Sequence, residues 1–179
     1  MAQYAAFLRG VNLGPHRRVS SADLKRAFAG MGFEDVGTFR ASGNVVFDGA
    51  SGPANKLKAR VEEGLLEAIG FEIIVFLRSA DEVRAIAEHK PFDRTLVTKS
   101  KGKLQVLVLP KKPAAKASRE VLSLATNDDQ LAFGERELYW LPSGGTLEST
   151  LDRARIEKLV GPTTARTKGT MEELAAKFF

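Results

Sequence analysis

Apolar positions along this chain recur with two periods, one suited to strands and one to helices. Tyr4 to Leu8 is an unbroken apolar run, which predicts a short buried strand. Arg9 to Val19, with its glycines, proline and arginines, predicts a loop. Ser20 with Asp23 three residues on predicts a helix start, and Leu24, Phe28 and Met31 share one face before Gly32 ends the helix. Val36 to Ala41 and Val45 to Phe47 are β-rich runs joined as a hairpin through Ser42-Gly43-Asn44. Beyond the connector Gly49 to Gly52, Pro53 suits a first helical turn. Leu57, Val61, Leu65 and Ile69 then form a helical stripe closed by Gly70, and Phe71 to Leu77 is the next strand. This β-α-β-β-α-β order is the split βαβ arrangement of ferredoxin-like folds.

Ser79 and Glu82 cap a short helix bearing Val83 and Ile86, which stops near Pro91. Residues 93–103 are polar and basic and read as an exposed linker or loop. Leu104 to Leu109 is a strand, and a helix from about Pro113 carries Ala117, Val121 and Leu124 on one face. Gln130 to Phe133 and Leu138 to Leu141 flank Gly134 to Glu137 as a second hairpin. Trp140 and Tyr139 alternate along it, so one is expected in the core and the other at the surface. Thr150 to Val160 is a helix closed by Gly161-Pro162, and Thr170 with Glu173 is expected to cap a last helix. The expected fold is therefore α+β with two ferredoxin-like lobes: βαββαβ over 1–78, a helix and basic linker over 79–103, and βαββαα over 104–179. The first five elements of the second half repeat the order of the first, without a residue-level repeat.

Composition narrows the function classes. The chain of 179 residues has no Cys, which excludes a disulfide scaffold, a thiolate metal site and a Cys nucleophile. No basic region followed by an apolar run of signal-peptide length opens the chain, and its longest apolar runs are strand-sized. A cytoplasmic protein that engages no membrane is the expectation. The net charge of +5 is uneven: residues 90–119 hold nine Lys and Arg against Asp93 alone, so the remainder is net acidic. Lys99, Lys101, Lys103, Lys111, Lys112 and Lys116 in this stretch are candidates for nucleic-acid contact, or else a solvated face that keeps a strand edge from aggregating.

Three segments have the chemistry to hold an anion. In Leu8-Arg9-Gly10-Val11-Asn12-Leu13-Gly14 and the following Pro15-His16-Arg17-Arg18, glycines let backbone amides approach a ligand while the arginines add charge. The segment is neither a Walker loop nor a dinucleotide fingerprint, and a wide turn is its plainer reading. In Thr38-Phe39-Arg40-Ala41-Ser42-Gly43-Asn44, a period of two would place Thr38, Arg40 and Ser42 on one sheet face, an Arg between hydroxyls, or simply a solvated face before a tight turn. Thr163 to Thr170 places hydroxyls, Arg166 and Lys168 directly before a helix start, where free amides favour an anion.

Catalytic constellations are missing from the pattern. His16 and His89 lack metal-ligand spacing, and Asp128, Asp129, Glu135 and Glu137 read as solvated turn acids. Neither a metal nor an organic cofactor is expected.

Taken together, these words resemble the bacterial domain-of-unknown-function family 1697. The matching stretches are Leu8 to Gly14, Asp23-Leu24-Lys25, Gly32-Phe33, Val36-Gly37-Thr38 and Ser42 to Phe47, followed by Pro91-Phe92, Leu138-Tyr139 with Pro142 and Gly145, and Thr164 to Thr170. The chain departs from the family's usual words at Pro15 and Thr167. The resemblance implies an α+β fold and no particular reaction.

The expected ligand is a phosphorylated small molecule or a nucleic acid. Arg9, Arg40 and Arg166 would act as clamps, Gly10, Gly14 and Gly43 would give backbone access, and Asn12, Ser42, Asn44, Thr164 and Thr170 would add polar contacts. An enzyme acting on a phosphorylated small molecule, with Asp23 or Asp48 as base, is the alternative. A structural or interaction module without a ligand site is the other.

Overall fold

The computed structural model describes residues 2–12, 14–40, 43–49 and 52–179. Its first half runs β1 (Ala2–Arg9), α1 (Ser21–Gly30), β2 (Glu34–Thr38), β3 (Asn44–Gly49), α2 (Ala54–Ile69) and β4 (Ile74–Ser79), followed by α3 (Ala80–Glu88) and α4 (Arg94–Lys99). The second half runs β5 (Gln105–Val108), α5 (Ala115–Leu122), β6 (Asp129–Phe133), β7 (Glu137–Pro142), α6 (Arg153–Val160), β8 (Thr164–Thr167) and α7 (Lys168–Phe178). Two four-stranded antiparallel sheets result, ordered β2-β3-β1-β4 and β6-β7-β5-β8. Each has the strand order of a ferredoxin-like βαββαβ unit, so the fold is α+β with two such units.

The chain divides into two compact units, one of Met1–Arg84 with Leu174–Phe179 and the other of Ala85–Glu173. In unit 1, helices α1 and α2 cover one sheet face. Tyr4, Ala6 and Leu8 of β1 alternate onto that face and meet Leu24 and Phe28 of α1 and Leu57, Val61 and Leu65 of α2. Phe28, Phe33 and Phe47 pack ring on ring, with centroids 4.6 Å apart for Phe33 and Phe47 and 5.0 Å for Phe28 and Phe47. In unit 2, Leu107, Leu109, Leu138 and Trp140 meet Val121 of α5 and Ile156 and Val160 of α6.

The caps fall largely where their residues predict. Ser20 and Asp23 make a complete capping box, Ser79 and Glu82 another, and Gly70 closes α2 with φ +89°. Four expectations need correction. Thr164 to Thr167 is a strand on β5, so the second unit is βαββαβ and then α7, not βαββαα; a single apolar residue among Thr-Ala-Arg-Thr hides the alternation. The cap of α7 is Thr167, whose hydroxyl accepts from the Thr170 amide at 3.1 Å, so Thr170 is not the cap. Residues 94–99, expected as loop, form the short exposed helix α4, which buries no residue and so leaves no periodic stripe. Tyr139 and Trp140 are both buried, because the sheet of unit 2 is covered on both faces at that strand.

Candidate functional site

Antiparallel pairing carries two of the three predicted segments to one end of the unit 1 sheet. Phe7 pairs with Asn44 and Thr38 with Val45, so the end of β1, the end of β2 and the start of β3 lie side by side. The Leu8 amide donates to the Gly43 carbonyl at 2.8 Å. The β1–α1 loop with Arg9, Gly10, Asn12 and Gly14 therefore neighbours the β2–β3 turn with Arg40, Gly43 and Asn44. Ser42 lies outside the described residues.

Left-handed backbone gathers in these two loops. Gly10, Gly14 and Gly43 have φ of +92°, +75° and +71°, and Asn12 and Arg40 both have φ +57°. Side chains rarely take that conformation, which costs a non-glycine residue roughly 1–2 kcal/mol. Among the described residues, Asp35 is the one further non-glycine residue of this kind. Asn12 meets the cost locally: its amide donates to the Arg17 carbonyl at 2.6 Å and its side-chain oxygen accepts from the Val19 amide at 3.1 Å. Asn44 is buried and donates from Nδ2 to the Phe39 carbonyl at 2.8 Å. Both asparagines thus spend these groups on shaping the loops.

β2 ends at Thr38, and Arg40 beyond it is left-handed, so period two does not extend from Thr38 to Arg40 as expected. Arg40 is exposed and its guanidinium stands 5.4 Å from the centre of the Phe39 ring. Arg9 is half-buried at the last position of β1, opposite Ile74, and alternates away from the helix-covered face. Arg17 is exposed and lies over Phe71 at 5.3 Å, with Nη1 3.4 Å from where a β-carbon on Gly10 would sit. Arg18, also exposed, borders a cleft of about 550 Å³ between α1 and α2 that Arg26, Glu67 and Met31 also line.

The third segment lies in unit 2. Arg166 is buried on β8, where its Nη1 donates to the Thr164 hydroxyl at 2.9 Å and to the Ala165 carbonyl at 2.8 Å. Burial lowers its pKa to about 10. Thr170 contributes its amide and hydroxyl to the α7 cap. Thr164, Arg166 and Thr170 thus make structural bonds within their own unit.

The six candidate lysines are all exposed, but the fold does not make one patch of them. Lys99, Lys101 and Lys103 precede β5, whereas Lys111, Lys112 and Lys116 follow it, and the strand separates the groups by on the order of 15 Å. At the first end, the Lys101 amide donates to the Ser143 carbonyl, and Ser143 lines a cleft of about 200 Å³ with Asp128, Asp129 and Glu148. At the second, Lys112 pairs with Glu135 at 2.8 Å and holds its carboxyl below the usual range.

Two acids depart from the solvated reading. Asp129 is 1% exposed and accepts from Trp140 Nε1 at 2.6 Å and from the Ser149 hydroxyl at 2.7 Å. Glu137 is also buried, and accepts from the Arg136 amide at 3.1 Å. Both lie on strands facing polar partners, which turn composition does not reveal. Among the described residues no cluster of three or more metal-ligating side chains occurs, and no helix is long and apolar enough to cross a membrane.

The sequence matches the model of the family described as protein of unknown function DUF1697 over residues 1–139, and the chain belongs to that family. Its fold is similar to that of the conserved bacterial protein SP0830 from Streptococcus pneumoniae, with a TM-score of 0.75 at 21% identity, covering 98% of this chain and 97% of that one. No curated protein matches the sequence.

Proposed function

We propose that this protein binds an anionic phosphorylated ligand, a small molecule or a nucleic acid, at the end of unit 1 formed by the β1–α1 loop and the β2–β3 turn. The observation that carries this reading is the meeting of two loops in which five residues have left-handed backbone and the cations Arg9, Arg17 and Arg40 are supplied. Strained backbone of this kind concentrates where amides are aimed at ligands, and guanidinium groups recognise phosphate through paired donors. Gly10 and Gly14 let the ligand approach the chain, and Gly43 lets the two loops pack together. The hydrogen bonds of Thr164, Arg166 and Thr170 support a structural role for them within unit 2. The divided lysines of unit 2 do not form the main contact.

Isothermal titration with ATP, and anisotropy with a labelled single-stranded RNA, each at 50 and 200 mM salt, test the reading. Binding that weakens with salt and falls at least tenfold in Arg40→Ala, with the melting temperature unchanged, supports it. Undetectable binding of both probes at 50 mM salt overturns it.

A further inference from the structure

Phe39 is the aromatic residue of unit 1 that the loops leave half-exposed at the β2–β3 turn, outside the helix-covered core. Two cations attend its ring. Arg40, its sequence neighbour, stands 5.4 Å from the ring centre, and Lys177 of α7 stands 5.7 Å from it. Lys177 is also 5.2 Å from the centre of the Phe178 ring, which meets Phe39 edge-on at 6.1 Å.

Lys177 reaches this place because the last residues of the chain are tethered to unit 1. Leu174 is fully buried. Phe178 occupies the space that a side chain at position 37 would fill: a β-carbon on Gly37 would lie 2.9 Å from Phe178 Cε1. Gly37 pairs with Val46, whose side chain alternates away from the helix-covered face, so Phe178 packs on the opposite face of the sheet. Arg84 closes the tether, donating from Nε and Nη2 to the Phe179 carbonyl at 2.9 and 2.6 Å. Phe178 and Arg84 are positioning residues in this arrangement, and Phe39, Arg40 and Lys177 form the surface presented.

Inorganic phosphate has no use for an aromatic ring. A nucleobase does, since stacking on an aromatic side chain is worth about 1–3 kcal/mol and flanking cations hold the attached phosphate. Building on the anion site proposed above, we infer that its ligand carries a nucleobase, which stacks on Phe39 while its phosphate meets Arg40 and Lys177. The nucleobase arrives on a free mononucleotide or on a single strand of nucleic acid.

Titrating the full chain with ATP and, separately, with inorganic tripolyphosphate tests this. ATP is expected to bind roughly tenfold more tightly, the lower part of the range that one stacked base supplies. Phe39→Leu, which keeps an apolar side chain without a π face, is expected to abolish that preference while leaving tripolyphosphate affinity within twofold. Lys177→Met is expected to weaken both probes several-fold. Equal affinity of the wild type for the two probes, or a preference that survives Phe39→Leu, overturns the base while leaving the anion site standing. Binding of neither probe removes both. A twelve-nucleotide single-stranded RNA separates the sources: binding tighter and more salt-dependent than that of ATP assigns a strand, and weaker binding assigns a mononucleotide, either of which retains the stacked base.

Discussion

A β-carbon placed on Gly43 would lie 2.7 Å from Cγ2 of Val11 and 3.1 Å from Cβ of Leu8. That contact locks the β2–β3 turn against the β1–α1 loop, and Gly43 itself has φ +71°. Both the space and the conformation exclude a side chain, so Gly43→Ala should destabilise unit 1 by about 1–3 kcal/mol. Urea unfolding followed by far-UV circular dichroism measures this. The same variant should weaken ATP binding, because the two loops would move apart.

Gly102 holds a comparable place in unit 2. A β-carbon there would collide with the carbonyl oxygens of Pro142 and Gly144, which are backbone and cannot swing away. Gly102→Ala should lower the melting temperature by several degrees, a loss of about 1–3 kcal/mol. Calorimetry checks it. ATP affinity at a temperature where the variant remains folded should be unaltered, since the loops of unit 1 are not touched.

Asp129 anchors the only Trp in the chain, through the 2.6 Å bond from Trp140 Nε1. Asp129→Ala leaves a buried indole N–H without its acceptor, at a cost of about 1–3 kcal/mol. Trp140 fluorescence reads the change directly: its emission should shift to longer wavelength in the variant as water reaches the ring. Asp129→Asn, which keeps an acceptor oxygen, should shift less.

Asp23 titrates below the usual carboxylate range, chiefly because the Ser20 side chain donates to it, then because the Ser20 amide does, with Arg26 adding a smaller charge effect. A carboxylate whose folded pKa lies below its unfolded value stabilises the fold above the ordinary carboxylate range. That contribution disappears as pH falls through the folded value. In Ser20→Ala the Asp23 pKa should rise toward the ordinary value, as carbon-detected NMR titration of its carboxyl will show. An unmoved pKa would mean that the capping box is not the cause.

How far the fold can be read from residues depends on how local its signals are. The capping boxes at Ser20 and Ser79 and the left-handed Gly70 are set by residues three or four apart, so they are legible. β8 is not, because its buried positions are the polar Thr164 and Arg166, which alternate with half-buried Ala165 and Thr167 and leave no apolar period to read. The carboxylate of Asp129 is buried by Trp140, 11 residues on, and Ser149, 20 residues on, a relation that turn composition cannot express. Likewise the two unit 1 loops are legible one by one through their glycines and arginines, but their meeting depends on the β1–β3 register. Lys177 and Phe178 carry no local hint of Phe39, since they lie 138 and 139 positions further along the chain.

Amide chemical-shift mapping with inorganic tripolyphosphate tests the location of the site most directly, because it reports every backbone N–H at once. The largest shifts should fall on Gly10, Gly14 and Gly43, with smaller ones around Arg40. Shifts centred instead on Lys111, Lys112 and Lys116, or no shifts at millimolar tripolyphosphate, would contradict an anion site on unit 1.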